Sequence, residues 1–311
     1  MSITGPRTLW DGIPVSVALE PEARREVADE FVEFSLDRFG SPDFERHTLS
    51  KREAFFDRYD AMAKPQWSGP LLDSSEFRAL VTGAKPLDHA DPLMSWLARA
   101  TRTHVAEAWA VRHHLRTYPF SRAAVTGGRP SPLDLMTLQE LYHTRMFVEV
   151  VRLFGLEFSL PAPPRALQVL IRLASRTVSH TSSSIATGIA EVIGSLATNA
   201  LAHEAEELLV DHPATYEVVR TLVDEVFIDE IGHMTLALNT FDRRQRVGFR
   251  LAMPGALKAL ALTYYRGNRA GAAIVRRGYA DFHLGLFPPQ VLAQAFVPSV
   301  LLHSPRDGGA P

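Results

Sequence analysis

The sequence predicts an all-α protein: a core of four long helices with further helices before and after it. Apolar residues recur at helical spacing along most of the chain, and no stretch keeps the two-residue alternation of a half-buried strand. Glycine and proline fall between these periodic stretches rather than at the short, regular intervals of an all-β chain. Two of the longest stretches also open on a capping residue followed by proline, which marks a helix N-terminus.

Taken in order, residues 20–40 (EPEARREVADEFVEFSLDRFG) have helical spacing and end on Gly40, a C-terminal signal. Residues 50–63 form a second amphipathic helix. Residues 64–90 are rich in Pro, Gly, Asp and Ser and read as a loop with one short helix near 76–81. The first long helix starts with Asp91 as cap and Pro92 in its first turn, and stops before Pro119. The second repeats the device at Ser131 and Pro132 and ends at Gly155. A proline-rich connection and a shorter helix at 165–176 precede the third, at about 182–210. The fourth begins at Asp211 or His212 and runs to about Asn239. PGALKALALTYYRG and PPQVLAQAFVPSVLL predict at least two more helices, and the tail 304–311 reads as disordered. The expectation is one domain over 1–311, with its core at about 91–240 and extra helices at 20–90 and 250–303.

Composition narrows the functional classes. The 311 residues are 46% apolar and 22% charged, an ordinary globular balance with length enough to bury a large core. A net charge of -2 and a pI near 6.6 give no sign of a polyanion-binding face, so nucleic acid is not an expected partner. There is no cysteine, which excludes disulfides, thiolate metal sites and cysteine nucleophiles. Any metal must be held by nitrogen and oxygen. The first residues lack a basic region followed by an apolar run, and no stretch reads as long and apolar enough to cross a bilayer. A soluble cytoplasmic protein with no membrane partner is expected.

The residues that stand out lie inside the four long helices. LQELYHTRMF in the second places Glu140 and His143 three apart among leucine, methionine and aromatics. DEIGH in the fourth repeats that spacing at Glu230 and His233. Residues three apart share a helical face, so each pair can present a carboxylate oxygen and an imidazole nitrogen to one point. Carboxylate-bridged metal sites in bundles take one further Glu from each of the other two helices. The third helix offers Glu191 inside a small, apolar sequence, where an unpartnered carboxylate costs several kcal/mol and needs a partner or a cation. The first offers Glu107 in HVAEAWAV. Antiparallel neighbours bring residues equidistant from their loop to one level. The midpoint for Glu191 and Glu230 falls between Val210 and Asp211, and that for Glu107 and Glu140 at 123–124, both in predicted connections.

The order Glu, Glu-x-x-His, Glu, Glu-x-x-His over about 91–239 resembles the ferritin-like di-iron carboxylate oxygenases. That superfamily includes acyl-carrier-protein desaturases, bacterial multicomponent monooxygenases and arylamine N-oxygenases. The YHTRM segment after Glu140 and the chain length bring it nearest to the arylamine (p-aminobenzoate) N-oxygenase group. The resemblance implies Glu107, Glu140 and His143 as ligands of one metal, and Glu191, Glu230 and His233 as ligands of the other, with some carboxylates bridging. It also implies that Asp229 accepts a hydrogen bond from His143. Gln139 stands where many relatives carry an acid, which leaves His233 to be oriented by an amide or another group. The arylamine enzymes add a third histidine one turn before the last motif; here that position is Val226. Either the extra ligand is absent, or another histidine such as His104, one turn before Glu107, takes over.

By the same resemblance the cofactor is a pair of iron ions, a manganese-iron pair being equally allowed by the ligands, and dioxygen is the co-substrate. The implied reaction oxidises an N–H or C–H bond of a small organic substrate, by N-oxygenation or hydroxylation. An external electron donor such as a ferredoxin or reductase is implied, and by analogy a homodimer. Gly194 and Ser195 fall one turn after Glu191, where several relatives carry a threonine beside the oxygen-binding pocket. Ser195 is thus the candidate catalytic hydroxyl, and Gly194 leaves room for substrate. Thr144, Phe147, Gly188 and Thr198 share the interior faces as candidate pocket residues. Competing readings are a desaturase-like enzyme, a ferritin-like protein that binds metal without catalysis, and a helical binding module with internal polar networks. Taken alone, Glu140 and His143 also fit a buried salt bridge, and Ser195 a small packing residue. Tyr264 and Tyr265 read as packing residues.

Overall fold

Side chains that satisfy free backbone amides mark where the long helices begin. The computed structural model describes residues 9–117, 120–157, 168, 180–263 and 269–303. Among these, α1 spans Pro21–Phe39, α2 Ser50–Ala61, α3 Ser74–Thr82, α4 Pro92–Thr117, α5 Arg122–Val125 and α6 Pro132–Leu153. They are followed by α7 His180–Leu208, α8 Pro213–Thr240, α9 Arg243–Thr263, α10 Arg269–Ala280, α11 Pro289–Leu292 and α12 Ser299–Leu302. The protein is all-α in class. Asp91 Oδ1 accepts from the amides of Leu93 and Met94 at the head of α4 (2.9 and 3.2 Å). Ser131 and Asp134 form a reciprocal capping box at the head of α6. Gly40 closes α1 with φ 83°, in the left-handed region that glycine enters without strain.

Packing closes a ring of four: α4 against α6, α6 against α8, α8 against α7, and α7 against α4. The turn between α7 and α8 covers residues 209–212, and α5 lies in the longer α4–α6 connection. Between the neighbours α4 and α7, the fully buried Trp96 of α4 donates its indole N–H to the Leu201 carbonyl of α7 at 2.9 Å. Arg99 Nη1 meets Glu204 Oε1 at 3.0 Å between the same helices. α1 packs on α6 and α8, while α9 and α10 cover α7. Asn239 at the end of α8 donates to the Val15 carbonyl and accepts from the Val17 amide, both at 3.0 Å, which pins the N-terminal segment to the core.

Several expectations are corrected. A two-residue antiparallel hairpin, β1 (Pro42–Asp43) with β2 (Thr48–Leu49), joins α1 to α2 where no strand is expected; strands this short carry no alternation to read. α9 begins at Arg243, well before the expected start at Pro254, and keeps Pro254 inside it. That proline is exposed, so water can satisfy the carbonyl it frees. α10 has no counterpart among the expected elements, its RAGAAIVRRGYA sequence holding two glycines. The expected helix over PPQVLAQAFVPSVLL is two short helices, Pro289–Leu292 and Ser299–Leu302, separated by residues 293–298 with Pro298 at the N-cap of the second. Against the reading that nothing is long and apolar enough to cross a bilayer, an 18-residue window within Ser183–Leu208 of α7 has a mean hydropathy of 1.4, which meets that length and composition, and 61% of the window is buried inside the protein. Its apolarity has a packing reason, since α4, α8, α9 and α10 all lie against it. The expected helix at 165–176, apart from Gln168, and Tyr264, Tyr265 and the tail 304–311 lie outside the described residues.

Candidate metal centre

Helical spacing turns the ionisable residues of the ring toward one another. Glu107 lies on α4, Glu140 and His143 on α6, Glu191 on α7, and Glu230 and His233 on α8. Both histidines are fully buried, Glu191 and Glu230 are buried, and Glu107 and Glu140 are half-buried. They form two overlapping groups in which one ligand atom from each member lies within 4.8 Å of the others: Glu107, Glu140, His143 and Glu230, and then Glu140, Glu191 and His233. Glu140 belongs to both. Its Oε2 is 3.2 Å from His143 Nδ1 and its Oε1 is 2.9 Å from His233 Nδ1. Glu191 Oε2 lies 3.5 Å from His233 Nδ1. Glu230, which the resemblance assigns with His233, stands with His143 instead, its Oε1 3.5 Å from that Nδ1.

Each imidazole is held from behind. His143 Nε2 lies 3.1 Å from Asp229 Oδ2, and Arg52 of α2 donates to both oxygens of that aspartate at 2.6 Å. Arg52 is itself buried, pairs with Glu225, and lies 4.5 Å over the Phe39 ring. His233 Nε2 lies 2.5 Å from Gln139 Oε1, and the Gln139 amide donates to Ser35 Oγ at 3.2 Å. One imidazole is thus anchored on a charged pair and the other on a neutral one. In a neutral histidine, an Nε2–H donated to these acceptors leaves the Nδ1 lone pair facing the carboxylates.

The charges are strongly coupled. Burial raises the Glu140 carboxyl, but His143 and His233 outweigh burial and hold it well below the ordinary carboxylate range. Burial raises Glu230 well above that range, with repulsion from Glu140, Glu107 and Glu191 adding to it. Glu191 is raised by burial, against the pull of His233. Burial disfavours charge on His143, yet Glu140 and Asp229 raise it well above its usual value; His233 is raised to about 9 against burial by Glu140 and Glu191. A buried cluster of this kind balances its negative charge with protons or with cations.

The donor set fits a divalent metal. Nδ1 of His143 and Nδ1 of His233 are buried with no hydrogen-bond partner, although carboxylates stand close to both. A carboxylate and imidazole set suits iron, manganese or zinc. A Cβ on Gly194 would lie 2.2 Å from Glu230 Oε2, so this glycine makes room for a candidate ligand.

The remaining predicted residues divide. Ser195 Oγ lies 2.9 Å from the Glu191 carbonyl and 3.0 Å from the Glu230 carbonyl, so its hydroxyl is engaged with the backbones of α7 and α8. The serine thus links α7 and α8, the helices that carry Glu191 and Glu230. Gly188 is packed under Phe241, whose Cζ would lie 2.4 Å from a Cβ there. Phe147 is buried with its ring stacked on His104 (centroids 3.7 Å apart, 13° between planes). Thr198 is buried and Thr144 half-buried. A cavity of about 250 Å³ lined by Asn199, His203, Tyr216, Arg220, Asp224 and Phe287, among others, includes none of the five predicted pocket residues. His104 forms its own group with Glu107 and His143. Arg52 and Ser35 went unread in the sequence.

No protein-family model matches the chain, and no curated protein or solved structure is significantly similar to it.

Proposed function

We propose that the chain is a non-heme di-iron oxygenase on a ferritin-like four-helix bundle formed by α4, α6, α7 and α8. It uses dioxygen to oxidise an N–H or C–H bond of a small organic substrate. One observation carries the reading: carboxylates from four helices meet two imidazoles whose Nδ1 atoms are buried without hydrogen-bond partners. Glu107, Glu140, His143, Glu191, Glu230 and His233 would hold the ions, with Glu140 shared between them. Iron bound there supplies the activation of dioxygen, and hard anionic ligands favour its oxidised states.

The chain's own residues hold and shield. Asp229 and Gln139 keep each ligand imidazole oriented through Nε2. Buried Phe147, stacked on His104, shields that side of the donors from water. Electrons come from a separate donor such as a ferredoxin or reductase. N-oxygenation of an arylamine is the favoured form of the reaction, on the YHTRM resemblance.

The test is to load the protein anaerobically with ferrous iron, add a chemical reductant and an arylamine, and follow oxygen uptake and oxidised product. Uptake and product above a free-iron control support the reading. Tightly held iron with neither effect would replace it with metal binding without catalysis.

A further inference from the structure

We propose that His104 is an additional metal ligand and that it makes the two metal positions unequal, the position at His143 being richer in nitrogen and the first to fill. The inference rests on the two-metal reading above and concerns how the metals are distributed. His104 lies on α4 one turn before Glu107, on the same helical face, and is 2% exposed. Neither of its ring nitrogens has a hydrogen-bond partner, although both are buried. A neutral imidazole carries one donor and one acceptor, and burying both unsatisfied is costly, so a missing partner is indicated.

The geometry identifies the kind of partner. His104 Nδ1 lies 2.6 Å from Glu107 Oε2, an atom that is also buried and without a hydrogen bond. The contact falls outside hydrogen-bond geometry, so two potential metal-donor atoms, a ring nitrogen and a carboxylate oxygen, converge on one region without bonding each other. His104, Glu107 and His143 each place a ligand atom within 4.8 Å of the others. The Phe147 stack fixes the His104 ring plane, which stands at 89° to the His143 ring with centroids 6.2 Å apart. Turning away to find another partner would break that stack.

The two positions then differ. Around His143 gather two imidazoles and the carboxylates of Glu107, Glu140 and Glu230; around His233 stand one imidazole, Glu191 and the shared Glu140. His143 is also backed by the charged Asp229, which strengthens it as a donor, whereas His233 is backed by the neutral Gln139. More donors, and a stronger one, place the first ion at His143.

The test is a titration of the full-length, chelator-stripped protein with cobalt(II), followed by calorimetry and visible absorption. Wild type should take two equivalents in two resolved steps. His104→Ala should weaken the first step at least tenfold and change the spectrum of the first equivalent, with thermal unfolding of the stripped protein little changed. Because the chain has no cysteine, His104→Cys introduces its only thiol close to the Nδ1 position. A thiolate-to-cobalt charge-transfer band at the first equivalent would support coordination, and this variant decides the matter if His104→Ala fails to fold. Two equivalents bound with unchanged first-step affinity in His104→Ala, and no such band in His104→Cys, would overturn the proposal while leaving the two-metal reading intact. A wild type that binds no cobalt would overturn both.

Discussion

Gly194 on α7 leaves the space that the Glu230 carboxylate of α8 occupies: a Cβ at position 194 would come within 2.2 Å of Glu230 Oε2 and 2.9 Å of its Cδ. The obstructing atoms are the end of a flexible side chain, so Gly194→Ala should displace the carboxylate and leave the helices in place. Alanine also favours a helix over glycine by about 1 kcal/mol. Metal affinity should fall at least tenfold, about 1.4 kcal/mol, with a thermal midpoint near wild type. Calorimetric metal titration beside a thermal melt checks this; unchanged affinity would mean that Glu230 is not a ligand.

Arg52 holds Asp229, and Asp229 holds His143. Burial raises the Asp229 carboxyl, but Arg52 and then His143 outweigh burial and hold it below its ordinary value. Arg52→Met would strand a buried carboxylate, and breaking such a pair costs about 3–5 kcal/mol. Urea unfolding measures the loss. Adding Asp229→Asn should recover part of the stability without restoring metal affinity, because the amide no longer anchors His143 as a carboxylate does.

The head of α6 should matter to stability and not to metal. Ser131→Ala removes one side of the capping box and should cost about 1 kcal/mol, with metal content per chain unchanged. Burial raises the Asp134 carboxyl, but hydrogen bonds from Ser121 and Ser131 outweigh it and hold the group below its ordinary value. A carboxyl depressed in the folded state adds stability above its unfolded pKa of about 3.9. That contribution disappears as pH falls through the lower folded value. Asp134→Asn should therefore be less stable than wild type at neutral pH and should lose less on acidification below about pH 4. Urea midpoints measured across pH would show parallel curves if the cap played no part.

Signals confined to one turn could be read from the sequence. Asp91-Pro92 and Ser131-Pro132 mark the starts of α4 and α6 because a cap and a proline act on amides within two or three residues. The meeting of Glu107, Glu140, Glu191 and Glu230 was legible through i,i+3 spacing and equal distances from the loops, which depend only on helix geometry. What lies behind the candidate ligands was not. Arg52 stands between Lys51 and Glu53 in a helix full of charge, and nothing local tells which cation is buried. The hydroxyl of Ser195 could face a cavity or a carbonyl; its rotamer decides, and it chose the carbonyls of Glu191 and Glu230. Pocket shape was equally hidden, since Gly188 answers to Phe241, a contact set by how α7 and the end of α8 pack.

Metal content decides most. Protein purified without added metal and analysed by mass spectrometry should carry about two first-row ions per chain, iron foremost. Glu191→Ala and His233→Ala, folded by circular dichroism, should lose them. A well-folded wild type with no bound metal, unable to take up ferrous iron anaerobically, would contradict the account.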